Sequence, residues 1–440
     1  MTVPAETLTA PNDPISLPVS ALDDAVTGAG ARVPARAPIA DVTLAPAPNV
    51  SNGTESPASD ALMYTYKRAP IELERGEGVY LIDSEGKRYL DFVAGIAVNA
   101  LGYADAALQT VMHAAVEGLV HVSNLYRTTP GEKLAAMLVE RSFADKVFFC
   151  NSGAEANEGA FKFARRWARD FGPAKHEIFS LRGAFHGRLF GTLAATDRPN
   201  YRIPFRPLAG GISILERDVE DIATALDAET AAALILEPVQ GEGGVRVLDA
   251  GFVRELRALT KERNAALIFD EIQCGLGRTG SLFAYERLGV EPDIMTLAKP
   301  IAAGLPMGAI LTTKEIASAL KPGEHGTTFG GGPFVASVAL HVVERLSTPQ
   351  LLTQVRENGA WFGQQLQEIA QRTGRIRAVR GVGYMWGIDI LGTASHVVNQ
   401  ALEKGLLLCT AGEYTVRMLP PLVATRDDLA RGLALLEEVL

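Results

Sequence analysis

"AALIFDEIQCGLGRTG", residues 265–280, decides the fold class. The unbroken apolar run Ala265–Phe269 ends in two acids, Asp270 and Glu271, and then in a glycine-rich turn. A run without polar alternation is buried on both faces, as in the strands of a parallel sheet. The same punctuation recurs in "KVFFCNSG" (146–153), "HEIFSLRG" (176–183), "AALILEP" (232–238) and "DIMTLAK" (293–299), with helical patterns between them from about 105 to 345. Strands alternating with helices predict an α/β fold, a mostly parallel sheet covered by helices. Outside this region "GVYLIDSEGKRYLDF" (78–92) predicts a hairpin turning at Ser-Glu-Gly. After about 346, two helical patterns flank "AVRGVGYMWGIDI" and "TVRMLPPL", as in a smaller α+β domain. We therefore divide the chain into a leader (1–60), the N-terminal part of a small domain (61–110), a large domain (111–345) and the C-terminal part of the small domain (346–440).

Ligands of open parallel sheets gather outside the carboxyl ends of the strands, so the residues after each run were read for chemistry. In "FFCNSGAEANEGAFKFARRWAR" (148–169), Ala156, Ala160, Phe163, Ala164 and Trp167 mark a buried helical face, and Ser152 with Glu155 forms a capping-box pattern. That pattern explains the serine structurally. Equally, Gly153 would let a phosphate reach the free amides of the helix start. Asp270 reads either as a salt-bridged or capping acid, or as a permanent anion facing a cationic heterocycle. Lys299 follows it by one crossover and closes an apolar run, with Pro300 holding it out of helical geometry. Apolar surroundings lower a lysine from about 10.4 towards a nucleophilic free amine, which forms Schiff bases with aldehydes. An anion-binding helix start, a strand-end aspartate and a strand-end lysine together suggest pyridoxal phosphate, whose phosphate, pyridinium nitrogen and aldehyde need those three groups.

Composition narrows the classes. A net charge of −9 argues against a nucleic-acid binder. Three widely spaced cysteines, Cys150, Cys274 and Cys409, cannot build a disulfide framework or a zinc cluster, so we expect no metal and a reducing, cytoplasmic setting. No run of eighteen apolar residues appears, so no membrane span is expected. Residues 1–60 hold 9 of the 24 prolines and no aromatic residue, lysine or cysteine, which predicts a disordered Ala/Pro-rich leader. Its acids fit poorly with a transit peptide.

At this point a resemblance is visible. "KVFFCNSGAEANEGAFKFARR", "GAFHGR", "EPVQGEGGV", "FDEIQCGLGRTGSLFAYERLGVEPDIMTLAKPIAAGLPMGA", "HGTTFGGGP" and "VRMLPPL" together resemble the class III (ω-type) aminotransferases of fold type I, most closely the acetylornithine aminotransferases. The likeness runs from about Met63 to the C-terminus. It implies pyridoxal phosphate as cofactor, carried by Lys299, with Asp270 on the pyridinium nitrogen. Gln273 would reach the phenolic oxygen, Gly153 and Ala154 the phosphate, and Phe185 the ring face. Thr328 would add its hydroxyl from the other subunit of a homodimer. His186 is as well explained structurally, and Glu237 is read as structural.

On the substrate side the resemblance implies a ping-pong transfer from the terminal amine of N2-acetylornithine to 2-oxoglutarate, in arginine biosynthesis. Arg188 and Arg417 would be the two carboxylate clamps, with Glu242 masking Arg417 while the amine donor is bound. Thr327 and Tyr126 would contact substrate. Rival readings are other ω-amine donors (N-succinylornithine, an aminoadipate-derived lysine precursor, ornithine, 4-aminobutyrate), an aminomutase of the same fold, and a phosphate-binding protein without chemistry. Ile96 stands where ornithine aminotransferases carry a tyrosine, which favours an acylated donor. Tyr103, Leu189 and Ala303 depart from the family pattern. Because the leader is read as solvated, deleting residues 1–60 is expected to leave folding and turnover intact; loss of either, measured on the truncated protein, would overturn that reading.

Overall fold

The computed structural model describes residues 61–440, so the reading of residues 1–60 as a disordered leader lies outside the described residues. The chain divides into two units, Met1–Ala69 and Pro70–Leu440. Of the first, the described residues 61–69 are exposed throughout.

In the second unit the apolar runs assemble into a seven-stranded sheet. Its order is Lys146–Cys150, Gly308–Thr312, Ile294–Leu297, Ala266–Asp270, Ala231–Leu236, Glu177–Leu181, Ile212–Leu215. Gly308–Thr312 runs antiparallel to both neighbours, and the remaining pairs are parallel. Alternate residues of each strand feed two different cores. Ile235, Ile268, Ile294 and Ile310 pack with Ala156, Ala160 and Phe163 of the helix Gly153–Ala168. Leu236, Phe269, Met295 and Leu311 join Val338, Val342 and Leu346 of the helix Pro333–Leu346 on the other face. Burial on both sides is why these strands show no alternation in sequence. The helix Gly153–Ala168 sits so close to the sheet that a Cβ at Gly159 would lie 2.3 Å from Ile310 Cδ1.

The flanking segments build two smaller sheets. The hairpin predicted at 78–92 is present as Tyr80–Asp83 and Arg88–Asp91, its turn held by Asp83 Oδ1, which accepts from the amides of Glu85 and Lys87. Leu406–Leu407 joins Arg88–Asp91 in parallel, so chain from both ends of the unit shares one sheet. A second antiparallel sheet orders Ile376–Val382, Met385–Ile390, Thr415–Met418 and Cys409–Thr410, and the long helix Pro349–Thr373 packs on its first strand.

Two sequence oddities gain an explanation. Tyr103 donates from its hydroxyl to Asp91 Oδ2 at 2.5 Å, and its ring fills the space where Gly76 lacks a Cβ. Ala303 ends the 3₁₀ turn Lys299–Ala302 in the left-handed region, φ 50°, ψ 42°. That conformation costs an L-residue roughly 1–2 kcal/mol but glycine little. Nothing in the structure explains Leu189. Ala303→Gly is therefore expected to keep or raise stability by up to about 1 kcal/mol, and β-branched Ala303→Val to lower it by more than about 1 kcal/mol, read from denaturant unfolding.

Candidate active site

Parallel pairing sets Asp270 opposite Thr296 at the carboxyl end of the central strands, three residues before Lys299. Both Asp270 and Lys299 line one cavity of about 380 Å³. Asp270 is 4% exposed and fully partnered. Its Oδ2 accepts from Asn157 Nδ2 and His186 Nδ1, each at 2.7 Å, and its Oδ1 accepts from the Ile272 amide at 3.1 Å. Asn157 is fixed in turn: its Oδ1 accepts from Thr296 Oγ1 at 2.8 Å and its Nδ2 also donates to the His186 carbonyl. The adjacent acid has a different task. Glu271 accepts from the amides of Ala284 (2.6 Å) and Tyr285 (2.7 Å), and burial pushes it up to about 8. Asp270 thus faces the cavity, and Glu271 caps a turn.

Lys299 reaches the cavity half-buried. Burial, reinforced by the nearby Arg417 charge, lowers its pKa from 10.5 to about 8, although Glu242, Asp270 and Glu237 pull the other way. Glu237, also on the cavity wall, accepts from the Phe185 amide at 3.0 Å. Burial raises it to about 7, His186 opposing and Asp270 adding to the rise.

The helix start is only half a capping box. Ser152 Oγ accepts from the Glu155 amide at 3.2 Å, but Glu155 reaches back to the Asn151 amide (2.7 Å) instead of that of Ser152. Among the described residues the amides of Gly153 and Ala154 take no protein acceptor, and both residues line the cavity. A Cβ on Gly153 would stand 2.8 Å from Ile272 Cδ1. Two orphan donors at the positive end of a sixteen-residue helix form a ready anion cradle.

Across the cavity Arg188 is exposed, its guanidinium 3.5 Å from the Tyr201 ring centroid and 5.8 Å from that of Phe185. Arg417 is the opposite case, 1% exposed. Its Nη1 pairs with Glu242 Oε1 at 2.7 Å and donates to Gln273 Oε1 at 3.1 Å. Burial disfavours both charges, but each holds the other ionised, so Arg417 is raised and Glu242 lowered. A Cβ at Gly241 would collide with Gln273 Oε1 at 2.1 Å, so the chain passes there as glycine.

The structure thus gathers Lys299, Asp270, Gly153, Ala154, Phe185, Gln273, Arg188 and Glu242 around one cavity, with Arg417 directly behind Glu242. It does not bring Thr327, Thr328 or Tyr126 to that wall. Thr327 Oγ1 accepts from Asn151 Nδ2 at 3.1 Å just beside it, and Thr328 and Tyr126 are exposed. Sequence reading missed Asn157 and Thr296. The available signal was an asparagine inside a helix face otherwise reserved for alanine and phenylalanine, since buried polar residues need partners.

Residues 63–440 match the family model described as Aminotransferase class-III. The chain belongs to that family. Class III aminotransferases depend on pyridoxal phosphate, and the orphan amides, the partnered Asp270 and the low-pKa Lys299 fit that group. The chain is 45% identical over 397 residues to the acetylornithine aminotransferase, mitochondrial, of Alnus glutinosa, covering 89% of this chain and 88% of that one. To the acetylornithine aminotransferase of Methanocaldococcus jannaschii it is 44% identical, with coverage of 85% and 94%. Among solved structures, N-acetylornithine aminotransferase of Stenotrophomonas maltophilia superposes with TM-score 0.76 at 34% identity, covering 87% of this chain and 97% of that one. Ornithine aminotransferase of Toxoplasma gondii, described with partial occupancy of PLP at its active site, gives TM-score 0.83 at 28% identity, with coverage of 87% and 92%.

This class III chain should show the lysine shift directly. Below pH 8 Lys299 is protonated and inert; above it the amine is free. Aldehyde labelling of the cofactor-free protein, trapped by borohydride and read by mass spectrometry, is expected to rise at Lys299 with a midpoint near 8. A midpoint near the ordinary lysine value, about 10.4, would contradict the burial argument.

Proposed function

We propose that this aminotransferase moves the terminal amino group of N2-acetylornithine to 2-oxoglutarate, giving N-acetylglutamate 5-semialdehyde and glutamate, by a ping-pong route within arginine biosynthesis. The carrying observation is that buried Arg417 is paired with half-buried Glu242, while Arg188 on the same cavity stands exposed. One cavity must accept two carboxylate patterns. The donor presents a carboxylate far from its reacting amine, which Arg188 can clamp while Glu242 keeps Arg417 neutralised. Glutamate presents a second carboxylate beside the reacting carbon, and this one displaces Glu242 from Arg417. Guanidinium forks suit both jobs, because they bind carboxylates bidentately. The names of the relatives support the acylated donor.

Bound pyridoxal phosphate supplies the aldehyde that takes the amino group and the ring that accepts the electron pair. The remaining work falls to this chain. Lys299 holds the cofactor at rest and then, as a free amine, moves the proton at the reacting carbon. Asp270, oriented by its three donors, would hold the proton on the ring nitrogen. Gly153 and Ala154 would donate to the phosphate, and Phe185 would cover the ring. Gln273 has its oxygen engaged by Arg417, which leaves its NH₂ for the phenolic oxygen.

We assign the large domain to 111–345 and the small one to 61–110 plus 346–440, with the site on the large domain's sheet. Thr328 acts across a homodimer interface, where Thr327 and Tyr126 approach substrate. In support, the segment 119–126 is tied to 327–330 by Asn124 Nδ2 and exposes Leu119, Val120, Leu125, Tyr126 and Phe329 together. Contiguous apolar surface of this kind marks an interface. The free cysteines support a cytoplasmic setting. Among the described residues no helix is long and apolar enough to cross a membrane.

Glu242→Ala unmasks Arg417. In half-reaction kinetics the ratio of kcat/KM for glutamate to that for N-acetylornithine is expected to rise by about tenfold or more. Equal losses for both donors would remove the masking role. With 2-oxoglutarate as acceptor, kcat/KM is expected to be highest for N-acetylornithine among N-succinylornithine, ornithine and 4-aminobutyrate. A higher value for any of these would reassign the donor.

A further inference from the structure

Glu242 lies in a tight loop, Gly241–Val245, between the short paired strands Val239–Gln240 and Arg246–Val247. Three consecutive carbonyls of that loop are held by three arginines, two from distant parts of the chain and one, Arg246, from the strand that closes the loop. Arg198 Nη2 donates to the Glu242 carbonyl, Arg246 Nε to that of Gly243 at 2.9 Å, and Arg380 Nε to that of Gly244 at 3.0 Å. Gly244 has φ +96°, a backbone that suits glycine and no β-branched residue. The position of the Glu242 carboxylate therefore depends on where these guanidiniums are.

Two of the three also face outward, into a second cavity of about 520 Å³ that the reaction does not use. Its wall includes Arg217, Arg246, Arg380, Gln367 and Trp386. The charges there do not balance. Arg380 is answered by Asp389, bidentate at 2.7 and 2.6 Å. Glu216 is taken up by Arg182. Arg246 spends only its Nε, and Arg217 has one long contact, Nη1 to Gln240 Oε1 at 3.4 Å. Burial and the neighbouring Arg246 charge lower the Arg217 pKa, Glu216 opposing, and no carboxylate forms an ion pair with Arg217 or Arg246 among the described residues.

We propose that this cavity binds a small doubly charged oxyanion between Arg217 and Arg246, and that the bound anion holds the Glu242 loop in its Arg417-paired position. Free guanidinium forks select phosphate or carboxylate oxygens. An anion on the Nη groups of Arg246 leaves its Nε on the Gly243 carbonyl and fixes that arm of the clamp. On Arg217 it draws the side chain against Gln240, which directly precedes the loop. The ligand thus makes Arg417 harder to unmask and weakens the dicarboxylate half-reaction relative to the amine-donor half-reaction. This coupling rests on the reading of Glu242 as the mask; the anion site does not.

Holoenzyme is titrated with inorganic phosphate and, separately, with malonate by calorimetry, in the wild type, Arg217→Met and Arg217→Lys. The expected result is at least about tenfold weaker binding in Arg217→Met, with partial rescue by Arg217→Lys. The tighter of the two probes identifies phosphate or dicarboxylate as the natural chemistry. The same anion is expected to raise KM for 2-oxoglutarate more in the wild type than in Arg217→Met, with KM for N-acetylornithine unmoved. Equal affinity in wild type and Arg217→Met overturns the site. Arg217-dependent binding without the KM effect overturns the coupling. Should Glu242→Ala also leave the balance of half-reactions unchanged, it is the masking role of Glu242 that fails, while the oxyanion site stands.

Discussion

The register between Ala266–Asp270 and Ile294–Leu297 is the constraint on which the site depends. Side chains alternate along a strand, so a slip of one residue would turn Asp270 away from the cavity and bury the wrong set of apolar groups. With both faces of these strands in dry cores, such a slip has no cheap form. The same register places Thr296 against Asn157, and Asn157 against Asp270. A helix, a loop histidine and two strands are thereby tied to one carboxylate. Hydrogen bonds to a charged group contribute about 1.5–3 kcal/mol each, and an uncompensated buried charge costs several. Asp270, buried and given three donors, is therefore held in the arrangement that also aims it into the cavity.

Burial alone does not set the protonation states around the cavity; partners do. Lys299 and Arg417 share one low-dielectric region, and each disfavours the charge of the other. Arg417 keeps its charge because Glu242 sits 2.7 Å away, whereas Lys299 has no carboxylate bonded to it and its pKa falls. Moving Glu242 therefore affects both cations. Glu242, the partner of Arg417, also supports the lysine's residual proton affinity.

Much of this was legible in the chain. Five of the seven strands announce themselves as apolar runs ending in glycine or charge, and the chemical residues follow those runs as a parallel sheet demands. Ile212–Leu215 is short and carries a serine, and Gly308–Thr312 follows the lysine turn so closely that it reads as its continuation. At the site, residues inside compact motifs were visible, because strand ends expose chemistry at fixed places. Asn157 was hidden by its position in an apolar helix face. The arginines on the Glu242 loop were hidden for a different reason. They bond backbone carbonyls, which leave no complementary side chain in the sequence, and they come from positions 198, 246 and 380. Thr328 lies outside the cavity wall and is exposed.

In the function proposed for this chain, one half-buried lysine at the end of a central strand, Lys299, is the amine that carries the cofactor. Borohydride reduction of the holoenzyme fixes the cofactor to its lysine, and peptide mapping by mass spectrometry then locates it. The pyridoxyl group is expected on Lys299 alone; finding it on any other lysine, with Lys299 unmodified, would overturn the assignment.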